Sequence, residues 1–266
     1  MKLILMGTSS WVIPVFDRVA AEHDIVAVFT RAPKPAGRKK ELKKSAVHEW
    51  AESHGIPVHT SIKEFQGNGA DYILVASYGV ILKDDVLNAA PTLNIHPSDL
   101  PKYRGPSPMT TAIYNGDADS AVCLMQVAKE VDAGDVLMRQ AFAIGENDAL
   151  ADVEARVGEI ATPMILEYLR SPEKYPPRPQ VGTPTFTRKW TGDDELIDWS
   201  QSPREIHNQV RSIGARTVIN GIDVKILETK IVDGKLEILR VQPAGKKPMA
   251  WKDFVNGQRG KIEFGK

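Results

Sequence analysis

Asp71-Tyr72-Ile73-Leu74-Val75-Ala76 is too short for a stable helix and apolar at odd and even positions alike. No other stretch constrains the fold so tightly. A strand apolar on both faces must be covered on both faces, which is the situation of a central strand in a mostly parallel sheet packed between helices. Residues 2–6 and Asp24-Ile25-Val26-Ala27-Val28-Phe29 share this character and flank a helical pattern at 11–22. The chain therefore opens as a β-α-β unit with a right-handed crossover. Ser45 to His54 reads as a helix closed by Gly55 and followed by a short strand at Ile56–Val58, and Leu93 to His96 as a strand stopped by Pro97. Ser120–Val127 and Val136–Ile144 are β-rich runs, and Ala149–Leu169 is a long amphipathic helix. The expected class is α/β, an open Rossmann-like sheet whose ligands collect at the carboxyl ends of its strands.

Residues 171–184 carry five prolines and read as an extended linker. Beyond it, Ser202–Ile213 is a helix pattern, followed by strand patterns at Thr217–Ile219, Asp223–Ile231 and Leu236–Gln242. Asn220-Gly221 and Asp233-Gly234 are the dipeptides that two-residue hairpin turns demand. These strands predict a small, OB-like β-barrel. The expected organisation is a first domain over 1–182, with the linker at about 171–184, and a shortened second domain over 203–266, joined by 185–202.

Charge supports that division. The 266 residues balance to zero, yet residues 203–266 hold 13 Lys and Arg against 7 Asp and Glu, and the remainder holds 21 against 27. A basic module on a neutral protein suits contact with a polyanion, and equally a solvated lysine-rich surface. Arg31 to Lys44 adds a second basic stretch, seven cations with one acid, suited to phosphate contacts. Cys123, the sole cysteine, excludes an internal disulfide and reads as a buried small hydrophobe. No apolar run approaches the ~20 residues of a membrane span, and no secretory or import leader is legible, so a cytoplasmic protein without a membrane partner is expected.

Among possible chemical groups, Gly7-Thr8-Ser9-Ser10 lacks the glycine fingerprint of a dinucleotide site. His23, His48, His54, His59 and His207 have no matched partners and read as structural. His96 differs because it ends a buried strand with Asn94 two residues earlier, on the same face. An imidazole can move protons near neutral pH and an amide can steady an oxygen gaining charge, although a strand-end histidine bonded within the core fits the same local pattern. No second and third ligand at zinc spacing accompanies it, so no metal is expected. Asp132-Ala133-Gly134-Asp135 forms a turn whose aspartates read locally as backbone caps, and spacing alone does not bring Asp132 to His96. The turn Ser77 to Leu82 reads either as an ordinary connection or as a slot for a flat heteroaromatic ligand.

Asn94-Ile95-His96-Pro97-Ser98, Pro101-Lys102-Tyr103-Arg104-Gly105 and Asp132-Ala133-Gly134-Asp135 together resemble the signature of the folate-dependent formyltransferase family. The resemblance extends over nearly the whole length, through Met6-Gly7-Thr8, Lys34-Pro35-Ala36-Gly37-Arg38, Ile197-Asp198-Trp199-Ser200 and Gln242 to Met249. It implies Asn94, His96 and Asp132 as the catalytic trio, with Asp132 keeping His96 charged. It further implies that Tyr78, Gly79, Val80, Leu82, Ser98 and Pro101 hold the folate. The implied co-substrate is 10-formyltetrahydrofolate, with no metal. The matched C-terminal segments imply an acceptor carried on initiator tRNA, the α-amine of its methionine, for translation initiation. Arg31, Lys34, Arg38, Lys39 and Lys40 would then meet tRNA from the first domain and Lys246 and Lys247 from the second, in a monomer. An amino sugar nucleotide formyltransferase and a formyl-folate hydrolase would share the trio, and a non-catalytic RNA-binding protein is the remaining alternative. Asp99 stands where the family usually has leucine, and the barrel lacks a hairpin or more.

Overall fold

In the computed structural model, residues 1–36, 41–258 and 260–265 are described. The first strands and helices come in the order β1 (Lys2–Gly7), α1 (Ile13–Glu22), β2 (Asp24–Phe29), β3 (Lys34–Ala36), β4 (Glu41–Lys43), α2 (Ala46–Ser53), β5 (Val58–His59), β6 (Tyr72–Ala76) and α3 (Asp84–Leu87). They continue with β7 (Thr92–His96), α4 (Pro108–Asn115), β8 (Asp119–Gln126), β9 (Val136–Ala143) and α5 (Leu150–Arg170). Seven strands form one sheet in the order β5-β2-β1-β6-β7-β8-β9, parallel from β5 to β7 and antiparallel between β7 and β8.

The doubly apolar strands are central, as their sequence requires. Ile4, Met6, Ala27, Phe29, Ile73 and Val75 share one core layer, while Leu3, Leu5, Val28 and Leu74 are buried as well. The chain runs outward from β1 through β2 to β5, then returns to β6 on the other side of β1. The carboxyl ends of β1 and β6 thus form the switch point at which sheets of this kind bind ligands. Across it, Ser9 Oγ and Ser77 Oγ are 2.6 Å apart.

Two details differ from expectation. Within the basic stretch, β3 and β4 pair antiparallel, with Lys34 opposite Lys43 and Ala36 opposite Glu41. Its expected contacts Arg38, Lys39 and Lys40 lie outside the described residues, while Lys34 is exposed and Arg31 half-buried. Second, the proline-rich segment is laid down on the sheet. Arg178 exchanges backbone hydrogen bonds with Val136 at 2.8 and 3.0 Å, and residues 185–187 pair with Arg104.

The last part of the chain holds α6 (Pro203–Ser212), β10 (Ala215–Ile219), β11 (Ile222–Val232), β12 (Lys235–Pro243), β13 (Met249–Ala250), α7 (Trp251–Asn256) and β14 (Phe264–Gly265). Its antiparallel sheet, ordered β13-β12-β11-β10-β14, is consistent with a small β-barrel. Asn220 and Gly221, and Asp233 and Gly234, all have φ between 48° and 78°, as primed hairpin turns need. Ile206, Ile219, Val224, Ile226, Val241 and Phe254 fill its core.

By internal packing the chain divides into two units, but not at one point. One comprises Met1–Pro108, Ser120–Phe142 and Glu154–Thr187; the other comprises Met109–Asp119, Ala143–Val153 and Arg188–Lys266. The second unit thus includes two segments from the expected first domain. Hydrogen bonds explain it: α6 reaches those segments through Arg211, which donates to the carbonyls of Asp148 at 2.9 Å and Gly145 at 3.3 Å.

Candidate active site

His96 is the last residue of β7 and is 4% exposed. Pairing with β8 sets Asn94 opposite Met125 and His96 opposite Cys123. After β7 the chain turns back sharply: Ser98 Oγ donates to the Lys102 carbonyl at 2.6 Å, the Leu100-Pro101 bond is cis, and Tyr103 has φ 59°. The turn brings the Tyr103 carbonyl to 3.1 Å from His96 Nε2. A carbonyl only accepts, so Nε2 carries the proton and, in the neutral ring, the lone pair sits on Nδ1. That nitrogen faces Asp132 Oδ2 at 3.6 Å.

Asp132 is fixed from three sides. Its own backbone has φ 50°, a conformation aspartate tolerates better than most residues. The Gly105 N–H donates to Oδ2 at 2.7 Å, and Asn94 Nδ2 donates to Oδ1 at 3.4 Å. Gly134 closes the loop against β8 so tightly that a Cβ there would collide with the Gln126 carbonyl oxygen. The fold therefore assembles Asn94, His96 and Asp132, which sequence spacing could not do.

Two opposing influences act on the charge of His96. The Asp132 carboxylate does favour the charged imidazole, but burial is the larger influence and holds His96 below its ordinary value of 6.5. The balance leans toward the neutral ring. Cys123 is fully buried and its thiol is pushed up to about 11, which fits a core residue rather than a nucleophile.

The residues expected to hold a flat ligand are divided by the structure. Tyr78 and Leu82 are buried in the core layer, while Val80 is 42% exposed. Ile81, in the same turn, is 71% exposed beside it. Gly79 has φ 72° and takes the backbone through the turn. Ser98 is completely buried with its hydroxyl donated to the Lys102 carbonyl, which shapes the loop; Pro101 follows the cis bond in the same turn. Asp99 makes a two-pronged ion pair with Arg139 of β9 at 2.6 and 2.8 Å, which tethers this turn to the sheet. Lys246 and Lys247 are exposed in the turn between β12 and β13, where Gln242 Nε2 donates to the Lys246 carbonyl at 3.1 Å. Among the described residues no cluster of three or more His, Cys, Asp or Glu is arranged to hold a metal ion. Sequence reasoning missed the Tyr103 carbonyl and the Gly105 N–H, because backbone partners leave no signature in side-chain identity.

The formyl transferase family model matches residues 1–169 and the formyl transferase C-terminal domain matches residues 189–235. The methionyl-tRNA formyltransferase of Gluconobacter oxydans is 35% identical over 97% of this chain and 97% of its own. Among solved structures, the methionyl-tRNA formyltransferase from Clostridium thermocellum superposes with a TM-score of 0.67 at 17% identity, over 91% of this chain and 98% of that one. An N-formyltransferase from Helicobacter canadensis, in complex with folinic acid and dTDP-3-aminofucose, also gives 0.67 at 20% identity, over 88% of both chains.

Proposed function

The chain belongs to the formyl transferase family, and from that premise we propose that it moves the formyl group of 10-formyltetrahydrofolate onto the α-amine of methionine carried by initiator tRNA. The observation that carries this reading is the 35% identity to a methionyl-tRNA formyltransferase over 97% of both chains, C-terminal region included. The sugar enzyme in the same fold carries less weight, since its likeness at 20% identity speaks for the fold alone.

The trio supports an acyl transfer in which the proton moves within the site. As the amine attacks the formyl carbon, a C–N bond forms and negative charge develops on the formyl oxygen. Asn94 has an amide N–H suited to that charge. The attacking nitrogen must lose a proton and the departing N10 must gain one. Both transfers run through a water ordered beside the His96–Asp132 pair, with His96 Nδ1, whose lone pair faces Asp132, taking up the proton and returning it as the bond to N10 breaks. Asp132 then stabilises the imidazolium when it forms. The carboxyl ends of β1 and β6 suit a flat pterin: Val80 and Ile81 offer exposed apolar edges over a rigid wall built on Tyr78 and Leu82. No metal enters this scheme.

The test is direct. Purified protein is given 10-formyltetrahydrofolate with charged initiator methionyl-tRNA, elongator methionyl-tRNA, or an amino sugar nucleotide. Formylation of initiator methionyl-tRNA is expected; transfer to the sugar alone would overturn the reading. His96→Ala should lower kcat roughly 100-fold or more, the usual worth of a positioned acid-base group. Near-native turnover by that variant would remove His96 from the chemistry.

A further inference from the structure

We infer that Gln180, in the proline-rich segment, is a positioning residue that holds the Asp132 loop in its working geometry, an inference that rests on the function proposed above. Its side-chain amide sits between the two halves of the active site and spends every hydrogen-bonding valence on them. Oε1 accepts from Arg104 Nε at 3.1 Å and from Arg104 Nη2 at 2.8 Å. Nε2 donates to the Asp132 carbonyl at 2.8 Å and to the Gly134 carbonyl at 2.9 Å. The orientation of the amide is forced, because a guanidinium only donates and a carbonyl only accepts. A carboxylate of equal size could satisfy Arg104 but would face two carbonyl oxygens.

The strand carrying Gln180 is itself anchored on both sides. Arg178 pairs with Val136, just beyond the Asp132 loop. At the other end, the Tyr103 N–H donates to Thr185 Oγ1 at 2.8 Å and the Arg104 N–H to the Thr185 carbonyl at 2.9 Å. Arg104, 8% exposed, also meets Glu130 Oε1 at 3.1 Å through Nη1. Gln180 therefore reaches Asp132 from a fixed support and fixes the backbone on which its carboxylate stands. The need for such a clamp follows from the geometry: the 3.6 Å between His96 Nδ1 and Asp132 Oδ2 depends on two loops whose tips, Tyr103 and Asp132, both have positive φ. Gln180 touches no reacting atom, so it acts only through the loops it joins, that of Asp132 and that of Arg104.

Two variants separate the bonds. Gln180→Ala removes all four; Gln180→Glu keeps the size and the acceptor for Arg104 but loses both donors to the loop. Each should lower kcat for formyl transfer by roughly 10- to 100-fold, the scale on which small misplacements of catalytic groups act. KM for folate and for tRNA should stay within about twofold, because Gln180 places Asp132 and not either substrate. Amide hydrogen exchange across residues 131–136 should accelerate in both variants. If Gln180→Ala fails to fold, the near-isosteric Gln180→Glu still decides. Native kcat in Gln180→Glu, or unchanged exchange in the loop, overturns the clamp. If the native protein itself leaves methionyl-tRNA unformylated, the functional reading fails, while the exchange measurement still decides whether Gln180 holds the loop.

Discussion

Burial and charge pull the His96 ring in opposite directions, and their balance can be read from a pH profile. Burial lowers the proton affinity of the ring and Asp132 raises it, with burial the stronger. A mechanism that needs the neutral ring loses activity as pH falls through that lowered value, so the acidic limb of kcat, read with the α-amine already bound as the free base, should lie below 6.5. Asp132→Asn removes the carboxylate that favours the charged ring; the acidic limb should then move to still lower pH, with a plateau roughly 100- to 10,000-fold beneath native. A native rate that falls as pH rises through neutrality would mean that the charged ring is the active form, and would sink the assignment. The amide and the imidazole of β7 were legible in the sequence because a strand of period 2 puts residues two apart on one face. Asp132 was not legible as their partner without the family resemblance, since it lies 38 positions from Asn94 in sequence and reaches it only through the fold. The opposing pull of burial on His96 was hidden for a different reason: a neighbouring carboxylate can be guessed from a motif, but the depth of burial is a property of the packed molecule.

At the level of elements, local chemistry was legible where it is short-ranged. Asn-Gly and Asp-Gly fixed both hairpins, because few residues other than glycine and asparagine accept positive φ at low cost. The helix expected over Ser202–Ile213 begins where a reciprocal capping box of Ser202 and Glu205 starts α6. Ser202→Ala should cost about 1 kcal/mol of stability, the usual value of such a cap, and should appear as a lower thermal midpoint by circular dichroism. An unchanged midpoint would mean that packing of α6 on β11 and β12 carries the helix without its cap. The proline-rich segment shows the limit of this reading. Its prolines predict extended backbone, yet Pro172–Lys174 form a 3-10 turn, and the extended remainder has no period from which a partner can be read. Its partners Arg104 and Val136 are 76 and 42 residues from Gln180 and Arg178 respectively, and no turn signal marks the pairing. The pairing of β3 and β4 escaped for a related reason: two strands of three residues each hold too few positions for alternation to register.

The whole molecule determines how its tRNA reading should be tested. Deleting residues 203–266 would be the natural way to ask whether the basic region binds tRNA, but the second unit does not begin there. Deletion would strip α6 from Met109–Asp119 and Ala143–Val153, with Arg211 and the bonds it makes to the carbonyls of Gly145 and Asp148, and His207 with its bond to the Glu146 carbonyl. Carbonyls left without partners cost stability, so a truncated protein would lose tRNA affinity whether or not its cations touch phosphate. Removing charge without removing backbone avoids this confusion. Lys246 and Lys247 are exposed on a turn whose shape is set by backbone and by Gln242, so Lys246→Gln with Lys247→Gln should leave the fold intact. Each phosphate that loses its cation reduces the slope of log affinity against log salt by ~0.7–0.9, so the double variant should flatten it by roughly 1.5 if both lysines meet the backbone of the tRNA. Affinity should fall most at low salt and converge with the native protein as salt rises, since the missing contribution is counterion release. A uniform loss at every salt concentration would point to distorted packing of the turn, and an unchanged slope would place the phosphate contacts elsewhere on the basic surface.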